Sequence, residues 1–187
     1  MKHFLLLAAI VVGLCACESA ERTAQKRIDQ FLRTSLGRNK QRVAEIAKDA
    51  GVEGLKPIAL DPEGSMRRRI VAIQALGTLR GNKEATRALI ELANGQDPEI
   101  AHWAIIALGT QRSAEAADLI RKFIKHPNPH LRAAACFAIY EYGDKALQPL
   151  LEEAAKDESD EVKYAANLAL DWMVNGPPAR PPSGSPF

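Results

Sequence analysis

Cysteine is scarce in this chain, with three in 187 residues, at positions 15, 17 and 136. That excludes the disulfide framework on which small secreted domains depend. Cys15 and Cys17 are one residue apart, too close to form a relaxed bridge with each other. No second pair follows downstream to complete a zinc site. Long hydrophobic runs are also missing. The apolar stretch from Phe4 is stopped by Glu18 and Glu21, short of the ~20 residues that span a bilayer. Neither sign of charge dominates: 25 Lys and Arg stand against 23 Asp and Glu, a net +2, so no general attraction to polyanions follows. Nucleophile elbow, P-loop and His-Glu-x-x-His motifs are all absent. "KDESDE" at 156–161 lacks the glycine and ligand spacing of a calcium loop and reads as a capped helix start. With 47% hydrophobic and 26% charged residues, disorder is excluded for the bulk of the chain.

What is present begins with an export signal. Lys2 and His3 precede "FLLLAAIVVGL", a basic n-region and an apolar h-region of secretory length. Leu14, Cys15, Ala16 and Cys17 then resemble the lipobox of bacterial lipoproteins, with leucine three before the cysteine and a small residue just before it. The alternative is an ordinary cleaved signal with incidental cysteines. The resemblance implies cleavage after residue 16, acyl chains on Cys17, and a mature protein tethered to a membrane without crossing it. Glu18 follows the anchor where aspartate resembles an inner-membrane retention signal, which favours the periplasmic face of the outer membrane over the inner membrane. Residues 17–37 read as a tether and N-terminal helix. Their surroundings are basic (Arg22, Lys26, Arg27, Arg33, Arg38, Lys40 and Arg42), which suits either an anionic headgroup surface or a solvated amphipathic helix.

Internal repetition dominates the remainder. Ala72, Ala104, Ala135 and Ala166 stand 32, 31 and 31 residues apart, and Ala75, Ala107, Ala138 and Ala169 keep the same intervals. A second set recurs at 31: Leu89, Ile120 and Leu151, with Leu92, Phe123 and Ala154 beside them. Both segments of each unit show the helical period, so the unit is helix–turn–helix. "DPE" at 61–63, "DPE" at 97–99 and "NPH" at 128–130 read as starts of first helices, and "SDE" at 159–161 serves without proline. Gly81 and Gly143 fall where helices end. A fainter copy, "RVAEIAKDAGVEGLKPIAL", comes earlier.

"NPHLRAAACFAI" and "DPEIAHWAIIALG" resemble HEAT-like repeats of the short type found in phycobilin lyases, over roughly residues 38–174. The resemblance implies an all-α, right-handed α-solenoid of about four helix pairs plus a final helix. It also implies a ladder in which the basic column Arg69, Arg132 and Lys163 bonds to loop residues such as Asp97 and Asn128. First helices would form the convex side and second helices the concave one. Exposed second-helix columns alternate in sign, with Glu91, Lys122 and Glu153 in one and Arg87, Asp118 and Pro149 in another. Such a mixture makes no phosphate track, so no nucleic-acid partner is expected.

The remaining candidates are few. His126 and His130 are four apart in "HPNPH", but Pro127 and Pro129 prevent a helix from aligning them. No cysteine or acidic ligand cluster adjoins them in sequence, so a solvated turn is expected and no metal. Trp103, Trp172 and Cys136 read as packing residues. Residues 175–187, "NGPPARPPSGSPF", read as a Pro-rich disordered tail, or as a polyproline recognition peptide. The functional expectation is a lipid-anchored scaffold or adaptor of the cell envelope, with no enzymatic activity and no cofactor. Its partner would be an envelope protein or peptide held at Arg87, Glu91, Lys122 and Glu153. The alternative is an accessory or chaperone-like partner of an envelope enzyme, or a cofactor-lyase-like enzyme.

Overall fold

The computed structural model describes residues 18–32 and 40–177. The signal segment with Cys17, residues 33–39 (with Arg33 and Arg38) and the tail from 178 lie outside the described residues. Within the described residues every regular element is helical, and no helix is long and apolar enough to cross a membrane. The chain forms two compact units, one ending at Leu79 and the other starting at Arg80.

The first unit holds α1 (18–32), α2 (Lys40–Leu60) and α3 (Met66–Thr78). The faint repeat is a helix pair within α2, bent at Gly51, whose φ of 63° and ψ of −176° break the helical path. Val43 and Ile46 are buried before the bend, Leu55 and Ile58 after it. "DPE" at 61–63 does not start the next helix. Asp61 instead turns the loop by accepting the Glu63 N–H at 3.0 Å, and α3 begins at Met66.

The second unit holds α4 (Lys83–Ala93), α5 (Pro98–Gln111), α6 (Ala114–Phe123), α7 (Pro129–Tyr142), α8 (Gln148–Ala154) and α9 (Asp160–Asn175), with a 3-10 turn at Lys145–Leu147. Here the punctuation acts as caps. Asp97 accepts from Glu99 and Ile100 N–H, Asn128 from His130 N–H and Asn82 from Glu84 and Ala85 N–H. Pro98 and Pro129 occupy the first helical turn, where no donor is needed. At α9 the Ser159 side chain makes no cap bond; Asp157 takes the Ser159 N–H at 2.8 Å instead.

In this unit α5 packs on α7 and α7 on α9, α6 touches α5 and α7, and α8 touches α7 and α9. The alanine columns explain the close spacing. Ala104, Ala135, Ala166, Ala138 and Ala169 are fully buried, and such short side chains let helix axes approach to ~8–10 Å. At Gly109 the approach is closer still, because a Cβ there would fall on the carbonyl oxygen of Ala138. The second-helix columns Leu89, Ile120 and Leu151 are likewise fully buried. The molecule is thus an all-α chain of stacked helix pairs with a final helix, α9, which runs to Asn175.

Candidate functional site

The second helices of the second unit present two open grooves. One, of about 370 Å³, lies between the α4–α5 loop, α6 and the start of α7, and its walls include Gln96, Leu119, Lys122, Phe123 and His126. The other, of about 530 Å³, lies where the end of α6 faces α8, with Lys125, Pro149, Glu152, Glu153 and Lys156 among its walls. Lys122 therefore lines one groove and Glu153 the next. Arg87 and Glu91 are exposed on α4 but line neither. The first groove carries cationic and neutral polar groups. The second sets two lysines against Glu152, Glu153 and Asp157.

In the second unit the contacts of Arg132 and Lys163 differ from the expected ladder. Arg132 is nearly buried, and its guanidinium grips Asp157 with bonds of 2.9 and 2.7 Å while donating to the carbonyls of His126 and Pro127. Its partner is thus Asp157 of the following loop, and Asn128 acts as a cap. These hydrogen bonds hold the Asp157 carboxyl below the usual range and raise the guanidinium's own pKa. Lys163 pairs within its own helix, with Asp160 at 2.6 Å. Arg69 donates to the carbonyl of Ala59 at 3.3 Å, and Asp97 caps α5. A second ladder runs along the other ends of the first helices. Arg80 donates to the Thr110 carbonyl at 3.0 Å and Arg112 to the Glu141 carbonyl at 3.2 Å. Both satisfy orphan acceptors at helix C-termini, where cations are favoured.

A third cluster sits at the starts of α5, α7 and α9. Glu99, His130 and Glu161 are 31 residues apart and stand side by side. The Nδ1 of His130 lies 2.7 Å from Glu161 and its Nε2 3.8 Å from Glu99. The imidazole of His102 stacks on that of His130 at 4.3 Å, and the indole of Trp103 donates to Glu99 at 2.9 Å. Two acids thus adjoin His130, contrary to the solvated turn expected. The linear motif hid them, whereas the 31-residue interval reveals them. His102 is buried with its Nδ1 unpartnered. Burial, and then the neighbouring His130, lower its pKa to about 4. Cys136 is buried as expected, with burial pushing its thiol up to about 12, so it is inert as a nucleophile. Trp172 packs against the rings of Phe137 and Tyr140.

The sequence profile of the family described as HEAT repeats matches residues 52–122 and 86–171. Deoxyhypusine hydroxylase-B of Oryza sativa subsp. japonica is 27% identical over 124 residues, covering 65% of this chain and 41% of that protein. Deoxyhypusine hydroxylase of Drosophila melanogaster is 25% identical over 130 residues, covering 67% and 43%. The chain spans less than half the length of these curated relatives. Both are named as enzymes, which overturns the expectation that the chain has no enzymatic activity. Hydroxylation draws its hard chemistry from a bound metal or organic cofactor. Among the described residues no three His, Cys, Asp or Glu side chains are grouped to hold a metal ion. The histidine–glutamate cluster is already closed on itself by the 2.7 Å contact of His130 with Glu161. These residues do not fit a metal centre.

Proposed function

This chain belongs to the HEAT-repeat proteins, and from that premise we propose that it is a repeat module tethered to a membrane through acyl chains on Cys17. It takes a protein or peptide partner along the exposed side of its second helices. The observation that carries this reading is the pair of open grooves, one holding Lys122 and the other Glu153. Helical repeats present extended surfaces of this kind for binding. Mixed charge in the grooves suits a polypeptide carrying both signs. The lipobox-like residues Leu14 to Cys17 support the tether, and Glu18 supports the periplasmic face of the outer membrane.

Metabolic labelling with an acyl-chain analogue tests the tether. Cys17→Ser abolishes labelling and leaves an unprocessed or soluble precursor, whereas Cys15→Ser changes little. Loss of labelling from Cys15→Ser alone contradicts the assignment. The relatives support a second reading, in which the array takes part in a hydroxylation. Incubation with a deoxyhypusine-containing peptide, dioxygen and a two-electron donor, the second oxygen atom leaving as water, and a search for a one-oxygen mass gain tests it. No gain, with the fold intact, removes the relatives' substrate from consideration.

A further inference from the structure

The helix that follows Cys17 is built into the first unit. Residue 18 is already helical, and α1 is fastened at three levels. Near its start, Gly54 of α2 lies so close that a Cβ there would fall on the Ala20 carbonyl oxygen, an approach only glycine permits. In its middle, Ala24 and Ile28 are fully buried. Farther along, Arg27 pairs with Asp49 of α2 at 2.7 Å, and Arg68 of α3 grips Asp29 with bonds of 2.7 and 2.9 Å. A helix held by backbone contact, apolar burial and two ion pairs cannot serve as a slack spacer.

We propose that α1 acts as a rigid mount, so that acyl chains on Cys17 seat the first unit directly on the bilayer. The start of α1 and the adjoining 53–57 stretch of α2 then lie at headgroup level. This inference rests on the lipid-anchor reading. Cys17 and Glu18 are neighbours in sequence, and one residue reaches only ~3.5 Å. The start of α1 therefore stays within about one residue's reach of the acylated sulfur, and Gly54 is packed against that start. Charge does not drive the seating. Arg22 is paired with Glu18 at 2.9 Å and Arg27 with Asp49, so two of the basic residues near the anchor are already matched by acids. Attachment is accordingly insensitive to salt and to the fraction of anionic lipid, in contrast to a polybasic patch.

The test uses the full, acylated chain in membranes. A fluorophore is placed at Glu53→Cys, and at Arg22→Cys in a second preparation in case the first disturbs the fold. Its quenching by headgroup-labelled lipid is then compared with that in a chain carrying a long Gly-Ser insert between Cys17 and Glu18. Strong quenching at both positions, falling severalfold with the insert and unchanged by salt, supports the mount. Acylated protein with unquenched labels, or with quenching that the insert leaves unaltered, overturns the mount while the anchor stands. Quenching that salt abolishes also overturns it, in favour of a charge-held surface. Absence of acylation removes the anchor, and the mount with it.

Discussion

Two interior polar residues, Arg132 and His102, make the second unit lose stability on acidification, each in its own pH range. Arg132 makes four hydrogen bonds from a nearly buried position. Arg132→Met leaves Asp157 without its counter-charge and is expected to lower stability by about 3 kcal/mol in urea denaturation. The Asp157 carboxyl sits below its ordinary pKa chiefly because of the Arg132 hydrogen bonds. The pair's contribution is therefore complete above the ordinary carboxylate pKa of about 4 and is lost as the pH falls through the lower, folded value. His102 acts in a higher window. Its neighbours are Glu99 and Trp103 on its own helix, His130 on α7 and Glu161 on α9. Burial nevertheless lowers its pKa from 6.5 to about 4. The unfolded chain takes up a proton that the folded one refuses, so stability falls as the pH drops from 6.5 towards about 4, by up to ~3 kcal/mol. His102→Leu is expected to flatten that segment of the pH–stability curve. At neutral pH it removes the unpartnered Nδ1 but also the ring's hydrogen bond to the His130 backbone, so a net cost of no more than about 1 kcal/mol is expected. A curve unchanged by His102→Leu contradicts this assignment.

Among the helices, the close approach of α5 to α7 is the most demanding feature. Gly109→Ala places a methyl group against the backbone of Ala138 and is expected to cost about 1–3 kcal/mol, as overpacking does. Asn82→Ala removes the acceptor for two N–H groups of α4 and is expected to cost about 1 kcal/mol. Thermal or urea unfolding checks both, and an unchanged midpoint for Gly109→Ala refutes the packing argument. The same physics explains what was legible in the sequence. Stacked helices restrict side-chain size at fixed intervals, so Ala104, Ala135 and Ala166 announce the repeat and its register. Caps such as Asp97 and Asn128 were readable because a local hydrogen bond selects them. Asp61 misled, since the same residue type also stabilises a loop turn, and α3 starts after it. Contacts across repeats were harder to see. Arg112 to Glu141 and Arg132 to Asp157 join residues 29 and 25 apart, and no local pattern selects those partners. His130 interrupts the column between Glu99 and Glu161, so a search for identities in successive repeats passes over what their spacing defines.

The whole molecule, on this account, combines a mount at Cys17 and α1 with a partner-binding face on the second helices. Arg87, Glu91, Lys122 and Glu153 are exposed, so reversing each charge singly is expected to shift stability by no more than ~0.5 kcal/mol. A change beneath a partner's footprint costs that partner ~1 kcal/mol or more. Lys122 and Glu153 are expected to matter more than Arg87 and Glu91, which line neither groove. If these charges merely pair between repeats, reversing Glu91 and Lys122 together restores what each single reversal lost. The most direct measurement is site-specific photocrosslinking in intact membranes, with the crosslinker at Lys122, at Glu153 and, for comparison, at the exposed first-helix residue Tyr164. A shared binding face gives one and the same partner band from Lys122 and Glu153, lost when both grooves carry reversed charges, and no such band from Tyr164. Equal crosslinking from Tyr164, or capture that survives all four reversals in a folded protein, contradicts it.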